Sequence, residues 1–370
     1  MENSVTIVVP TYNEHDNITP LVEKISKSIS RYDYEILFID DASSDGTAGV
    51  IESLKTSYPV RVIVRRDEKG LASAVVKGFE NARHDLIVVM DADLQHPPEI
   101  IPQLLDAIAG GADVAVGSRY VPGGGCDEWS GLRKLLSRGA ILLANMALPK
   151  ARRVKDPMSG FFALKRKVIE GVRLDPIGYK ILLEVLVLGN YNQAAEVPFQ
   201  FQLREQGKSK LDLNQQYEYL RHLARLSIRS GEFARFMKFC LVGASGVLVN
   251  YGLYWILTRF AGFNPISDTS SGVLSGNIAL TISIETSIIT NFILNNFFTF
   301  SDRNVGGFGG FFKRLVHFNL ICIIGGLIQI GVANLFAVVF GVNDLIAVLI
   351  GIVIAFFWNY LLNNYLTWKK

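Results

Sequence analysis

Four long apolar segments in the C-terminal part of the chain constrain its architecture more than any other feature. They run over roughly residues 236–258, 273–298, 315–340 and 345–366. Each is long enough to cross a hydrocarbon core about 30 Å thick, which takes around 20 residues of helix. A soluble bundle does not readily cover four such stretches in succession, so residues 236–370 are expected to form an all-α, four-helix transmembrane domain. Arg229, Arg235 and Lys238 lie at the start of the first span, Arg303, Lys313 and Arg314 between the second and third, and Lys369 and Lys370 at the end of the chain. The opposite side carries only Arg259. That bias predicts a multi-pass protein with both termini and the N-terminal domain in the cytoplasm. The opening MENSVTIVVPTYNE fits, because its apolar run is short, ends at Pro10 and lacks the pattern of a signal peptide.

The membrane part repeats itself. NFILNNFFTF (291–300) and NYLLNNYLTW (359–368) keep Asn, Leu, Asn-Asn and Thr in the same places. Two helical hairpins related by duplication are expected. The asparagines suit hydrogen bonds between helices in lipid; a part in moving a lipid head group is the other reading. Between the halves, residues 211–235 carry Arg221, Arg225 and Arg229 at four-residue spacing beside Leu220, Leu223 and Leu226. A basic stripe next to leucines predicts a helix lying on anionic headgroups, with the solvated face of a linker helix as the alternative.

Residues 1–210 have another character. VTIVV (5–9), EILFI (35–39), VRVIV (60–64), DLIVVM (85–90) and ADVAVG (112–117) read as buried strands, with helical patterns between the early ones. Such alternation implies an open, mainly parallel α/β sheet, whose ligands collect beyond the carboxyl ends of the strands. A formal charge of +3 offers no basic field for nucleic acid. Cys126, Cys240 and Cys322 are too scattered for a disulfide framework or thiolate metal site.

The fourth strand ends in VVMDADLQHPPEII (88–101). In extended geometry Asp91, Asp93 and Gln95 point the same way. Two carboxylates and an amide oxygen are hard ligands suited to Mg²⁺ or Mn²⁺, not zinc. The first strand runs into VVPTYNEHDN (8–17), where Pro10 turns the chain out and makes Tyr12 and Glu14 available. The second runs into IDDASSDGT (39–47), with Asp41 placed to accept hydrogen bonds from a base or ribose. Each residue alone suits a turn or helix cap, as Asp45-Gly46-Thr47 does. Three acid-bearing strand ends together describe a nucleotide-diphosphate site with a divalent cation.

PTYNE, DDASSDGT, DADLQHPPE and GSRY resemble the motifs of family 2 glycosyltransferases with the GT-A fold, a Rossmann-like open sheet. GGGCDEWSGLRKLLSRGA (123–140), DPMSGFFALKR (156–166) and REQGKSK (204–210) resemble the dolichol-phosphate mannose synthases among them. The paired hairpins resemble small four-span proteins of polyprenyl-linked sugar transfer, a part that many of those synthases lack. The resemblance implies that Pro10, Tyr12, Glu14, Ile39 and Asp41 line the base and ribose. Asp91 and Ala92 would meet the nucleotide, Asp93 and Gln95 would hold the metal, and Arg204 and Lys210 would close over the donor phosphates. The implied reaction is inverting transfer of mannose from GDP-mannose to dolichyl or another polyprenyl phosphate at the bilayer.

Arg119, in GSRY, is joined by Arg133 and Ser137, four apart on one helical face. Two guanidinium groups and a hydroxyl make a pocket for the acceptor phosphate, provided that the helix around 131–148 packs beside the linker. A phosphate monoester has its second pKa at about 6, so its oxygen is already ionised and needs no general base. A processive polysaccharide synthase is a poorer reading, since no Q-x-x-R-W run is present. The rival donor is UDP-glucose. A rival of another class is a nucleotide-sugar-binding scaffold or lipid-sugar transporter, against which the intact metal set and the acceptor arginines argue.

Overall fold

All five expected apolar runs form strands: β1 Ser4–Thr11, β2 Asp33–Asp40, β3 Val60–Val64, β4 Leu86–Val89 and β5 Val114–Ser118. The structure, a computed structural model, describes residues 4–126, 129–202, 213–263, 270–303 and 307–369. Contacts divide the chain into two units, residues 1–230 and 231–370.

In the first unit the sheet has seven strands. The other two are β6 Phe162–Lys165 and β7 Ala194–Pro198, in the order β3-β2-β1-β4-β6-β5-β7. β6 runs antiparallel to both β4 and β5, and the remaining pairs are parallel. Both faces are covered, which is why the central strands are apolar without alternation. Helices α1 (His15–Ser28) and α2 (Thr47–Leu54) are described with α3 (Leu71–Asn81) and α4 (Ile101–Ala109). α1, α2 and α4 supply Ile18, Leu21, Ile51 and Leu104 to one core. α3 and a later helix, Ile181–Leu188, supply Val75, Phe79, Val185 and Leu186 to the other.

Outside that second layer lie α5 (Gly131–Ala147) and, after α6 (Ile181–Leu188), α7 (Leu213–Arg229). Ala144, Leu148, Leu183, Val187, Tyr219, Leu223 and Leu226 form a core of their own. Tyr219 Oη donates to the Ala140 carbonyl at 2.5 Å, so the helix at 131–147 does pack beside the linker helix. The basic stripe expected on headgroups requires correction. Arg225 is paired with Asp175, and Arg229 with the fully buried Glu184 and the Arg173 carbonyl. These two arginines bind α7 to its own domain, and only Arg221 of the three is exposed. For Arg229 the partner is a buried carboxylate whose desolvation must be offset locally, whereas the Arg225–Asp175 pair is partly exposed. α5 and α7 instead expose Leu132, Leu135, Leu142, Tyr217, Leu220 and Ile228.

The second unit contains α8 (Glu232–Phe260), α9 (Ser270–Leu294), α10 (Gly307–Asn334) and α11 (Asp344–Leu362). Among the described residues four helices are long and apolar enough to cross a membrane: Glu232–Phe260, Asn277–Thr299, Gly307–Val339 and Leu345–Thr367. Their outward residues are apolar, Leu248 at 75% and Val338 at 78% exposure, as a lipid-facing surface requires. α8 packs on α9 and α10 on α11, and the two hairpins use the same device. A Cβ on Gly246 would lie 2.3 Å from Asn291 Nδ2, and one on Gly325 2.5 Å from Asn359 Oδ1. Each hairpin thus closes through a glycine against an asparagine. Both Asn-Asn-x-x-Thr repeats form π-helical turns, at Asn295–Thr299 and Asn363–Thr367. The Asn296 side-chain Oδ1 accepts from Arg314 Nε and from Trp368 Nε1, each at 3.2 Å, and Trp368 stacks on Phe300 at 4.3 Å. These bonds join the hairpins, as the interhelical reading of the asparagines requires.

Candidate functional site

β1, β2 and β4 all end at one edge of the sheet, and the backbone there is unusual. Among the described residues three non-glycines adopt positive φ: Asn13 at 57°, Ala42 at 53° and Leu94 at 61°. One follows each of those three strands. Left-handed backbone at a side-chain-bearing residue persists only where its surroundings over-determine it, and it concentrates at functional sites. Asp40 supplies part of that constraint, accepting from Ser43 N at 2.9 Å, Ser43 Oγ at 2.5 Å and Thr11 Oγ1 at 3.3 Å. Asp45 adds to it on the same side, accepting from Thr47 N at 3.0 Å and His15 N at 3.1 Å, in the turn expected of it.

A cavity of about 290 Å³ opens between these ends, lined by Pro10, Tyr12, Glu14, Asp41, Asp91, Ala92 and Asp93 together with Thr11, Leu71 and Ala74. The structure therefore brings seven of the expected nucleotide residues together. Ile39 is placed elsewhere. Its side chain is wholly buried among Val8, Leu37 and Val75 in the sheet core, because it points to the face that α3 covers. Asp41 is held on both oxygens, by Arg65 Nε at 2.8 Å and Gly70 N at 2.7 Å. Tyr12 is 53% exposed, with the Lys69 ammonium 5.3 Å above its ring. Arg204 and Lys210 lie outside the described residues.

Asp93 is buried, and its Oδ1 accepts from Gln95 N at 3.1 Å. The Gln95 side-chain nitrogen donates to the Gln202 carbonyl at 3.0 Å. That bond does not use the amide oxygen, but the extended geometry expected to align Asp91, Asp93 and Gln95 is broken by the left-handed Leu94, and Gln95 does not line this cavity. Among the described residues no cluster of three His, Cys, Asp or Glu is shaped for a metal. A carboxylate and an amide oxygen still suit Mg²⁺ or Mn²⁺, which commonly take one or two protein ligands and fill the remaining positions with water and phosphate.

A second cavity, of about 250 Å³, shares Leu71 and Asp91 with the first. Arg119, Arg133 and Ser137 all line it, and α7 adds Gln215, Gln216 and Tyr219. Arg119 is less free than expected: Nε and Nη2 each bind the buried Asp156 carboxylate at 2.8 Å. Trp129 stands by both guanidinium groups, its ring 5.2 Å from Arg119 Cζ and 4.1 Å from Arg133 Cζ. Ser137 Oγ accepts from Tyr120 Oη at 2.8 Å.

Sequence reasoning missed Lys180, the third cation of this cavity. Its Nζ donates to the Met158 carbonyl at 3.2 Å. Burial first, then the Arg119 charge, pushes its pKa down to about 8, against the pull of Asp156 and Asp91. The Arg133 guanidinium is lowered by burial and by Arg119. Lys180 and Arg133 are thus each disfavoured by the Arg119 charge, whereas Asp156 raises the pKa of Arg119 itself; a nearby anion would relieve the first two. His96, also missed, is pushed down to about 4, chiefly by burial. A larger groove of about 910 Å³ lies among Tyr32, Leu86, Leu105 and Arg166, and is lined by none of the candidate site residues.

Comparison with known proteins places these features in context. Residues 6–173 match the family model described as glycosyl transferase family 2, and residues 238–368 match that described as GtrA/DPMS, transmembrane domain. The chain is 44% identical over 364 residues to dolichol-phosphate mannosyltransferase of Pyrococcus furiosus, covering 98% of this chain and 99% of that protein. It is 38% identical over 241 residues to dolichol-phosphate mannosyltransferase of Saccharomyces cerevisiae, covering 62% and 88%. It is 34% identical over 233 residues to polyprenol monophosphomannose synthase of Mycolicibacterium smegmatis, covering 60% and 86%.

Proposed function

Because the chain belongs to the dolichol-phosphate mannosyltransferases of glycosyltransferase family 2, joined to a GtrA/DPMS transmembrane domain, we propose that it transfers mannose from GDP-mannose to the phosphate of dolichol or another polyprenol, inverting the anomeric carbon. The observation that carries this reading is the meeting of two cavities of opposite character at Asp91 and Leu71. The first is acidic and lies at strand ends; the second is cationic and walled by aromatic side chains.

The donor base and ribose lie along Pro10, Tyr12, Glu14 and Asp41, with Asp91 and Ala92 against the nucleotide. Asp93 and Gln95 would hold Mg²⁺ or Mn²⁺, which would supply positive charge against the departing diphosphate. Arg204 and Lys210, outside the described residues, are the further side chains proposed for the same phosphates. On the acceptor side Arg119, Arg133, Lys180 and Ser137 hold a phosphate whose attacking oxygen is already ionised at neutral pH. The task left to the protein is alignment of that oxygen with the anomeric carbon. The exposed leucines of α5 and the exposed Tyr217, Leu220 and Ile228 of α7 suit contact with the bilayer in which a prenyl chain lies. The lysine and arginine bias supports a cytoplasmic catalytic domain and cytoplasmic termini.

The test is to incubate membranes containing the protein with radiolabelled GDP-mannose or UDP-glucose and a polyprenyl phosphate, and then extract the lipid. Label entering lipid from GDP-mannose alone is the expected result. Label from UDP-glucose alone would replace the donor, and none from either would leave a binding protein.

A further inference from the structure

His96 belongs to neither the metal pair nor the cation set, yet it lines the second cavity and bonds Asp91, which lines both. Its ring is 2% exposed, walls the acceptor cavity and packs parallel to Phe161 at 5.2 Å, with Phe199 and Phe201 edge-on at 5.8 Å. The backbone N–H of Asp91 donates to His96 Nδ1 at 3.0 Å, and Asp91 Oδ2 lies 3.6 Å from the same nitrogen. A nitrogen that accepts carries no proton, so the imidazole is the neutral Nε2–H tautomer. Behind Asp91 and the ring there is no slack: a Cβ on Gly160 would lie 3.2 Å from His96 Cε1 and 3.4 Å from Asp91 Oδ2.

The chain needs such a hold at this place. β4 ends at Val89, Met90 N still donates to the Val8 carbonyl at 3.2 Å, and residues 91–94 then leave the ladder, with Leu94 left-handed. Asp91 is the acidic residue that lines both cavities. A shift of its backbone would move a carboxylate in the donor and acceptor cavities at once. The aromatic layer fixes the ring, and the ring's acceptor nitrogen fixes the backbone.

We propose that His96 is a positioning residue for the transfer: through Nδ1 it holds the end of β4 so that Asp91 stands in the seam between donor and acceptor. The role rests on the transfer reading above. A misplacement of about 1 Å at a reacting centre is worth on the order of a hundredfold in rate.

Three substitutions in the full-length protein separate the possibilities. In His96→Asn the side-chain oxygen reaches the Nδ1 position and accepts from Asp91, while the Nε2–H donor is lost. In His96→Gln the amide reaches the Nε2 position and the Nδ1 acceptor is lost. His96→Phe keeps an aromatic ring but neither nitrogen. Measured per folded protein, kcat and GDP affinity are expected within about threefold of wild type for Asn. For Gln and Phe kcat should fall about ten- to a hundredfold, with weaker GDP binding and little change in KM for the prenyl phosphate. Retention of activity in Gln but not Asn would overturn the proposal in favour of a direct Nε2–H contact. Equal losses in all three that follow thermal stability would reduce His96 to packing, and no loss in any would remove its role. If wild type makes no lipid product, the transfer reading fails by itself. The order of GDP affinities among the three variants then still decides whether Nδ1 holds Asp91.

Discussion

Arg119 and Asp156 form a buried, two-pronged ion pair, Nε to Oδ2 and Nη2 to Oδ1, each at 2.8 Å. A third bond runs from Arg119 N to Asp156 Oδ2 at 3.1 Å. Parallel bonds of this kind fix the plane of a guanidinium as well as its position. The pair therefore orients Arg119 toward the acceptor cavity while occupying two of its donors. In the proposed acceptor site the remaining N–H groups of Arg119 would face the phosphate together with Arg133 and Lys180.

Removing Asp156 should accordingly be worse than removing a ligand. Asp156→Ala leaves a buried guanidinium unpaired, which costs about 3–5 kcal/mol, and a clear drop in melting temperature is expected. Asp156→Asn keeps the volume and one acceptor. It should fold, bind GDP normally and raise KM for the prenyl phosphate about tenfold. Thermal melts together with both substrate titrations check this; unchanged acceptor use in the Asn variant would show that Arg119 needs no fixed plane.

Asp93→Ala should abolish transfer and metal-dependent donor binding without loss of fold. The reason is that Asp93 is the charged member of the proposed cation pair, with Gln95 contributing only a neutral oxygen. EDTA should stop the wild type, and Mg²⁺ or Mn²⁺ should restore it. Turnover near normal in the variant, or indifference to the chelator, would count against the cation.

Lys180 predicts a pH dependence of acceptor binding. Its folded pKa is lowered to about 8 by burial and Arg119, whereas the acceptor phosphate is dianionic above about pH 6. Below pH 8 the ammonium is charged and available; as pH rises through that value its proton is lost and KM for the prenyl phosphate should rise. In the unliganded protein the sign for stability is opposite. Between about 8 and the unfolded value near 10.4 only the unfolded chain keeps the proton, so the burial penalty is relieved as pH rises. Lys180→Arg should flatten the acceptor profile over pH 7–9.5, and a profile unchanged by that substitution would exclude the amine.

The donor side of the site was legible because it is local. Each motif adjoins a strand whose own apolar run announces it, so PTYNE, DDAS and DADLQ are read at strand ends without knowing the fold. The acceptor side depends on contacts across long stretches of chain. β6 and β7 are short runs, FALK and AAEVP, and the reversal of β6 comes from its pairing with β4 and β5 rather than from any local pattern. Lys180 is a lone lysine before α6, and Asp156 meets Arg119 across 37 positions. The arginines of α7 show the same limit. Their spacing fixes a shared face, but not that Asp175 and Glu184 lie beneath it.

The membrane domain should matter for access to the lipid and not for the donor. The first unit ends at Ser230, and all residues described around both cavities lie upstream of it. Arg225 and Arg229 fasten α7 to that unit through Asp175 and Glu184, so a chain cut after Ser230 retains the helix that supplies Gln215, Gln216 and Tyr219. The truncated protein is expected to fold and to bind GDP within about threefold of the full chain. It should transfer to a short, water-soluble prenyl phosphate at a similar rate, yet lose at least an order of magnitude on long-chain acceptor in vesicles, where a single amphipathic attachment is weak and reversible. Rates on both acceptors at matched protein concentration decide the point. Equal rates on embedded acceptor would mean that the exposed residues of α5 and α7 suffice to reach the bilayer and that the four spans have some other task.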